Sequence, residues 1–303
     1  MARVNHLIRR LRAAIRDGSP ALWLPELAST LADAEWTRLG HEFNISRTSY
    51  GTVRMVRRNP NAELALVGHA IAPSQDGANH DAISIELLPE DVRRQCTDSP
   101  VRFYDAEEIV VNALAAKVSE ALQTFAIVPT LAPTICCLIR SLHLMDPKDD
   151  NVDVSFSDPD LPFSAFVSIP GPNAKNGPLR IAEAMLHEAM HLELTLIERL
   201  IPLVKPTATT YYSPWRVEYR SPLGVLHALY VFRAIDSFLG ALLVDGPDSV
   251  DARDYRTTRL TMIGKQLNEV EGFAACEHLT ADGAALVTCL LAERTAHNSR
   301  PDK

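Results

Sequence analysis

The chain has 303 residues, of which 47% are hydrophobic and 22% are charged. This composition is that of a globular protein, and it excludes a disordered chain, a collagen-like chain and a disulfide-stabilised miniprotein. The 38 acidic and 30 basic side chains leave a net charge of −8. That balance argues against a protein whose main task is to bind nucleic acid, because neutralising phosphates requires clustered Lys and Arg. The length allows one domain or two.

Cysteine usage and the N-terminal residues predict a cytoplasmic protein. The five cysteines are an odd number and form no C-x-x-C pair, which favours a reduced compartment. The first twenty residues contain five arginines and lack the apolar centre of a signal peptide. No stretch reaches the ~20 uninterrupted apolar residues of a membrane span. We therefore expect neither a nucleic-acid partner nor a membrane partner.

Helical patterns dominate residues 1–150. The first residues predict an amphipathic helix that is stopped by Gly18 and Pro20, and a second helix follows over 25–39. Two short strands are predicted over 51–56 and 62–67, followed by a polar loop over 73–80. Apolar residues at helical spacing predict a helix over 107–125. A nearly apolar run over 131–144 predicts another helix, which would be buried.

The pattern changes at the charged turn over residues 145–153. Short strands rich in β-branched and aromatic residues are predicted over 154–156 and 163–169. Helices are predicted over 178–201, 221–243, 252–277 and 281–296, and Pro178 suits a first helical turn. The predicted fold class is mainly α with a small β-sheet. Residues 1–150 would form a mainly helical region and 151–303 a region with a metal site, and both can also belong to one continuous domain.

The residues that point to chemistry lie in the predicted helix over 178–201, which contains the motif HEAMH. His187 and His191 are four residues apart, so their side chains lie on one face of the helix and can bind one metal ion. Glu188 lies beside that face, where it can take a proton from a metal-bound water or orient a ligand. Glu183, one turn before His187, could orient an imidazole or be an exposed helix charge.

A metal site of this kind needs a third protein ligand, and two residues downstream qualify. Glu218 follows His191 by 27 residues, which is loosely the arrangement of zinc peptidases with a glutamate ligand. His227 follows His191 by 36 residues and lies in the predicted helix over 221–243. The metal site would then lie between the HExxH helix and the buried helix that follows it.

The segment between these two helices, YYSPWRVEYRSP over residues 211–222, contains Arg216 and Arg220. Arginine binds carboxylates through two parallel hydrogen bonds, so a cosubstrate with a free carboxylate would suit this segment. The alternative is that both arginines pair with local acids such as Glu218.

Several features together resemble the HExxH-motif peptide-modification proteins, which act on ribosomally made, post-translationally modified peptides. These features are the strand over 163–169, the helix with HEAMH, the YYSPWR segment and the helix with GVLHALYVF. The resemblance covers about residues 153–243, and the HExxH motif alone would be weak evidence for it. The combination with SPWR and LHALYVF is considerably more specific.

The resemblance implies an iron(II)- and 2-oxoglutarate-dependent hydroxylase that uses O2. Such an enzyme places a hydroxyl group on the β-carbon of a residue in a precursor peptide. It implies that His187, His191 and His227 hold the iron, and that Arg216 or Arg220 binds the distal carboxylate of 2-oxoglutarate. Glu188 would then orient a ligand or the substrate backbone. Three open positions around the metal would serve the keto acid and oxygen.

Two other function classes remain open from the residues. A zinc metallopeptidase would use Glu188 as the general base, with Glu218 or His227 as the third ligand. A non-catalytic peptide-binding protein would keep the metal for stability, and chelation would then lower its melting temperature. A peptide could pair with the strand over 163–169 if that strand is an exposed edge.

Overall fold

Helices make up most of the computed structural model, which describes residues 2–16, 25–47, 52–57, 69–71, 83–88, 102–147, 149, 151–158, 163–246 and 249–298. The helices in these ranges are α1 (Ala2–Arg16), α2 (Pro25–Glu42), α3 (Ala106–Val111), α4 (Leu114–Thr124), α5 (Leu131–Leu138), α6 (Gly177–Leu200), α7 (Pro222–Asp245), α8 (Val250–Glu269) and α9 (Ala281–Asn298). The mainly helical fold class is thus confirmed.

The strands of the described ranges form three small sheets. They are β1 (Phe43–Arg47), β2 (Thr52–Arg57), β3 (His69–Ile71), β4 (Ser84–Ile85), β5 (Arg102–Phe103), β6 (Ser141–Asp146), β7 (Ser155–Phe156), β8 (Ser164–Ser168), β9 (Tyr211–Ser213) and β10 (Glu218–Arg220). Strands β1, β2 and β3 form an antiparallel sheet, and β9 and β10 form a hairpin.

The third and largest sheet has the order β4-β6-β8-β7, with β5 also paired to β6. Strand β6 runs parallel to β4 and β8, whereas β5 and β7 are antiparallel to their neighbours. Every residue of β8 is buried, and β8 is paired on both sides. The strand predicted over 163–169 is therefore confirmed, but it is not an exposed edge and cannot take an added peptide strand.

Helix α6 is the central helix of the described core. Asn176, with φ 58°, precedes it, and Pro178 lies in its first turn, where a missing N–H costs no hydrogen bond. The helix contacts α2, α4, α5, α7 and strands β7 and β8. Sixteen of its 24 residues are buried, so each polar side chain along it needs a specific partner.

Helix α7 packs along α6 and brings the second half of the candidate site. It begins after Ser221, whose Oγ accepts a hydrogen bond from the Gly224 N–H at 3.2 Å, and Pro222 opens the first turn. By length and composition alone α7 could cross a membrane, but 67% of its apolar window is buried inside the fold. Its apolar composition is therefore accounted for by packing in the core.

Two predicted helices differ from the structure. The run over 131–144 is helical only to Leu138, and its second half is strand β6. Both halves are buried and apolar, and periodicity does not distinguish a buried strand from a buried helix segment. The helix predicted over 107–125 is two helices, because the chain turns at Ala113, which has φ 49°.

The remaining element predictions agree with the structure where it describes the chain. The predicted strand over 51–56 matches β2, and the helices predicted over 178–201, 221–243 and 281–296 match α6, α7 and α9. The helix predicted over 252–277 matches α8, which ends at Glu269 before a 3-10 turn. The strand over 62–67, the loop over 73–80 and the stop at Gly18 and Pro20 lie outside the described residues.

One hydrophobic cluster contains buried residues from α1 to α9, including Leu7 and Leu290. The boundary near residue 150 stays a prediction.

Candidate functional site

His187 and His191 face the same direction from successive turns of α6. Their Nε2 atoms are 3.2 Å apart. Two nitrogen ligands that each lie ~2.1 Å from one metal ion, at angles between octahedral and tetrahedral values, are roughly 3.0–3.4 Å apart. The two histidines therefore fit one metal ion as the HExxH spacing predicts.

His227 reaches this pair from α7, but at the other edge of the His191 ring. Its Nδ1 lies 3.0 Å from His191 Nδ1, and its Nε2 lies 3.2 Å from Glu198 Oε2. The two rings are stacked at 19°. Tertiary packing thus brings the three histidines together, but the nitrogen of His227 that faces His191 does not face the Nε2 atoms of the pair.

For this reason the three histidines only partly match the arrangement that one metal ion needs. Among the described ranges, no group of three or more His, Cys, Asp or Glu side chains is arranged so that it could hold a metal ion. The arrangement supports His187 and His191 as two ligands, and it leaves His227 beside them as the nearest third imidazole.

Burial keeps the histidine pair neutral. The pKa of His187 is lowered to about 4, first by burial and then by the charges of Arg259 and Arg216. The pKa of His191 is lowered to about 2 by burial and by its neighbours, beginning with His187 and His227. Neutral imidazole is the form that binds metals, so both side chains are ready to act as ligands at neutral pH.

Glu188 is 2% exposed and points toward the sheet. Its Oε1 accepts a hydrogen bond from Ser155 Oγ at 2.6 Å and lies 4.0 Å from His187 Nε2. Burial raises the pKa of Glu188 to about 7, against the opposing effect of hydrogen bonds from Ser155 and Ser157. A carboxyl group with this pKa can hold or release a proton close to the histidine pair.

A cavity of about 1070 Å³ opens beside His187. Its wall includes four basic side chains, which are Lys175, Arg180, Arg216 and Arg259, and two acidic ones, which are Asp153 and Glu183. The cavity wall is therefore more positive than the chain as a whole. Such a cavity suits a ligand that carries carboxylates.

The β9–β10 hairpin carries Arg216 into this wall. Trp215 stacks on Phe232 of α7 with ring centroids 5.5 Å apart, and Phe232 in turn contacts the His187 ring edge-on. The turn closes through the Val217 N–H, which donates to the Ser213 carbonyl at 2.8 Å. Arg216 itself makes no side-chain hydrogen bond or ion pair with any described residue, so its guanidinium is available to a ligand.

Two other arginines of the wall are already held by acids. Arg180 donates to both carboxylate oxygens of Asp153, with Nη2–Oδ1 at 2.7 Å. Arg259 of α8 binds Glu183, and the Tyr255 hydroxyl donates to Glu183 Oε2 at 2.8 Å. Glu183 is thus committed to α8, and it does not orient an imidazole.

Arg220 and Glu218 lie on β10, outside the cavity wall. Their side chains are 41% and 56% exposed, and Arg220 Nε lies 3.6 Å from Glu218 Oε1. No described contact joins Glu218 to His187 or His191, which weakens the idea that it is a third metal ligand. Of the two arginines named from the sequence, Arg216 lies in the cavity wall beside His187, whereas the charge of Arg220 acts on His191 and contributes to lowering its pKa.

The sequence alone did not single out Glu198. It also did not single out Tyr255 and Arg259, the two residues of α8 that donate hydrogen bonds to Glu183. Glu198 follows His191 by seven residues, so it lies two turns along the same helix face, and that spacing could have revealed it. No local pattern predicted that Arg259 and Tyr255 would meet Glu183, because the contact joins residues about 70 positions apart.

Comparisons with known proteins add no assignment. No protein-family model matches the chain, and no curated protein matches its sequence.

Proposed function

We propose that this chain is an iron(II)- and 2-oxoglutarate-dependent hydroxylase that acts on a ribosomally made precursor peptide in the cytoplasm. The observation that carries the proposal is the His187 and His191 Nε2 pair, 3.2 Å apart. The wall of the adjoining cavity also offers Arg216, which has no side-chain partner among the described residues. The proposed product carries a new hydroxyl group on the β-carbon of one residue. The peptide class rests on the resemblance of residues 153–243 to the HExxH-motif peptide-modification proteins.

His187 and His191 would hold the iron. His227 of α7 is the nearest imidazole for a third position, and its Nδ1 faces the opposite edge of the His191 ring in this structure. Bound iron(II) supplies the oxidation chemistry, in which one oxygen atom of O2 enters a substrate C–H bond while the other enters 2-oxoglutarate as it decarboxylates to succinate. Neutral histidines leave the positive charge of the metal uncompensated, so a dianionic cosubstrate would be favoured beside them. Imidazole suits iron(II) as well as zinc.

Arg216 is proposed to bind the distal carboxylate of 2-oxoglutarate. Its guanidinium offers paired N–H donors that match a carboxylate, and no described acid neutralises it. The cavity volume, about 1070 Å³, is larger than a five-carbon diacid needs, and the remainder would accept a substrate side chain. Glu188, held by Ser155, would orient a ligand or the peptide backbone.

The test is anaerobic addition of iron(II) and then 2-oxoglutarate, with detection of the weak charge-transfer absorption of a chelated keto acid. We expect the band in the wild type and its loss in His191→Ala. Arg216→Ala and Arg220→Ala form a matched pair that removes the same charge from neighbouring positions. Arg216→Ala should raise the 2-oxoglutarate concentration needed for the band by tenfold or more, whereas Arg220→Ala should leave it nearly unchanged.

A zinc metallopeptidase is the second candidate, and the position of Glu188 favours it. Glu188 Oε1 lies 4.0 Å from His187 Nε2 with a pKa of about 7, which suits a general base for a metal-bound water. This reading expects tight zinc retention, cleavage of generic peptides and loss of that cleavage in Glu188→Ala. Absence of the charge-transfer band together with these three results would replace the hydroxylase proposal.

A further inference from the structure

Four side chains form a row that runs from the cavity wall along α6 and α7. The Nε2 atoms of His187 and His191 are 3.2 Å apart, and the Nδ1 atoms of His191 and His227 are 3.0 Å apart. The row ends where His227 Nε2 meets Glu198 Oε2 at 3.2 Å. Each imidazole in the middle of the row therefore uses both ring nitrogens.

The carboxylate at the end of the row determines where the protons lie. A carboxylate only accepts hydrogen bonds, so the proton between His227 and Glu198 belongs to His227 Nε2. The Nδ1 of a neutral His227 is then an acceptor, and His191 Nδ1 must be the donor in their contact. His191 consequently presents an unprotonated Nε2 toward His187, which is the form that a metal ion requires.

We infer that Glu198 is a positioning residue that fixes the ring tautomer of His227 and, through it, that of His191. Glu198 acts by holding the Nε2 proton of His227, and it leaves His227 Nδ1 to accept the hydrogen bond from His191 Nδ1. This inference rests on the proposed function only where it treats the histidines as metal ligands. The tautomer assignment itself needs no metal.

The surroundings of Glu198 leave it no competing structural task. Among the described residues its only hydrogen-bond or ion-pair partner is His227, and its Oε1 is buried without a hydrogen-bond partner. The neighbouring Arg199 instead pairs with Glu35 of α2. A carboxylate that is 18% exposed and makes a single polar contact among the described residues, to an imidazole, matches the carboxylate partners that orient histidine ligands in metal sites.

The first experiment reads the tautomers directly in the metal-free protein. Long-range 1H–15N correlation spectra distinguish which ring nitrogen of each histidine carries the proton, and single His→Gln variants assign the signals. We expect His227 to be protonated at Nε2 and His191 at Nδ1. Protonation of His227 at Nδ1 in the wild type would overturn the inference, with no variant of Glu198 needed.

The second experiment measures cobalt(II) affinity in Glu198→Ala, Glu198→Gln and the wild type. Loss of a carboxylate partner of this kind weakens metal binding by roughly 10- to 100-fold, and we expect that range for Glu198→Ala. Glu198→Gln keeps an oxygen that accepts from His227 Nε2, so it should retain most of the affinity. The exposed Glu277→Ala removes the same charge elsewhere and should change nothing.

A double-mutant cycle shows whether Glu198 acts through His227. In a His227→Ala background, Glu198→Ala should have no further effect on cobalt(II) affinity, because the side chain it positions is gone. Additive effects of the two substitutions would overturn the inference.

The two proposals fail in different ways. If the expected tautomers are found but no iron and 2-oxoglutarate band forms, the hydroxylase proposal fails and the role of Glu198 stands. If the band forms while Glu198→Ala binds cobalt(II) as tightly as the wild type, the role of Glu198 fails alone.

Discussion

A buried carboxyl group between α6 and α7 makes the stability of this protein depend on pH. Glu193 is 0% exposed, its Oε2 accepts a hydrogen bond from the Tyr230 hydroxyl at 3.0 Å, and its Oε1 is buried without a partner among the described residues. Burial raises the pKa of Glu193 to about 8, and the hydrogen bond from Tyr230 opposes only part of that rise. The substitution Glu193→Gln removes the titration and keeps an acceptor for Tyr230.

The size of the effect follows from the two pKa values. An unfolded glutamate releases its proton near pH 4.5, whereas folded Glu193 keeps it to about pH 8. The stability contributed by the neutral form is therefore complete below pH 4.5 and falls by about 1.4 kcal/mol per pH unit above it, until pH 8. At pH 7 the wild type should be about 3 kcal/mol less stable than Glu193→Gln, and at pH 4.5 the two should be nearly equal.

Urea unfolding of both proteins between pH 4.5 and 7.5, with a chelator present, measures this difference. The lowered pKa values of His187 and His191 also make stability depend on pH in this window, but both proteins contain these residues, so their contribution cancels in the difference. A gap that stays constant with pH would refute the assignment of a neutral buried Glu193. As a control, Tyr230→Phe removes the one hydrogen bond to Glu193 among the described residues. It should destabilise the protein by a similar amount at pH 4.5 and pH 7, because folded Glu193 is neutral at both.

Two further predictions concern the ion pairs around the site. Asp153→Ala removes the carboxylate that pairs with the nearly buried Arg180. This loss should lower the free energy of unfolding by roughly 2 kcal/mol. Urea unfolding measures the change, and an unchanged midpoint would contradict the pairing. Glu35→Gln tests the contact with Arg199: burial would raise the pKa of Glu35, but its arginine partners outweigh burial and lower it below 4.5. The stability from Glu35 is therefore present above pH 4.5 and lost as the pH falls through its folded pKa. The variant should be less stable than the wild type at pH 7, and the gap should shrink as the pH falls below 4.5. A gap that does not shrink on acidification would refute the role of charge.

The local parts of the site could be predicted from the sequence. The spacing of His187 and His191 brings their Nε2 atoms within 3.2 Å, because the helix repeat alone places residues four apart on one face. The start of α6 near Pro178 and the start of α7 at Ser221 follow from local capping chemistry. The starts of α6 and α7 therefore depend on residues that are close to them in the sequence.

The buried sheet shows where this reasoning fails. Residues 141–144 lie in strand β6 although they continue the apolar run of α5. Strand β6 is buried on both faces and most of α5 is buried as well, so the run carries no alternation that would mark the change. Pairing with β4 and β8, both distant in sequence, decides that this segment is a strand.

Contacts between elements decided the chemistry that the sequence left open. The packing of α7 against α6 sets which edge of His191 meets His227, and it brings the other edge of the His227 ring to Glu198. The hairpin turn puts Arg216 in the cavity wall and leaves Arg220 outside it. The sequence by itself determined that two histidines lie one helical turn apart on the same face of α6. Their partners were decided only by tertiary structure, because the angle and register between two packed elements depend on side chains along their whole length and not on the motif itself.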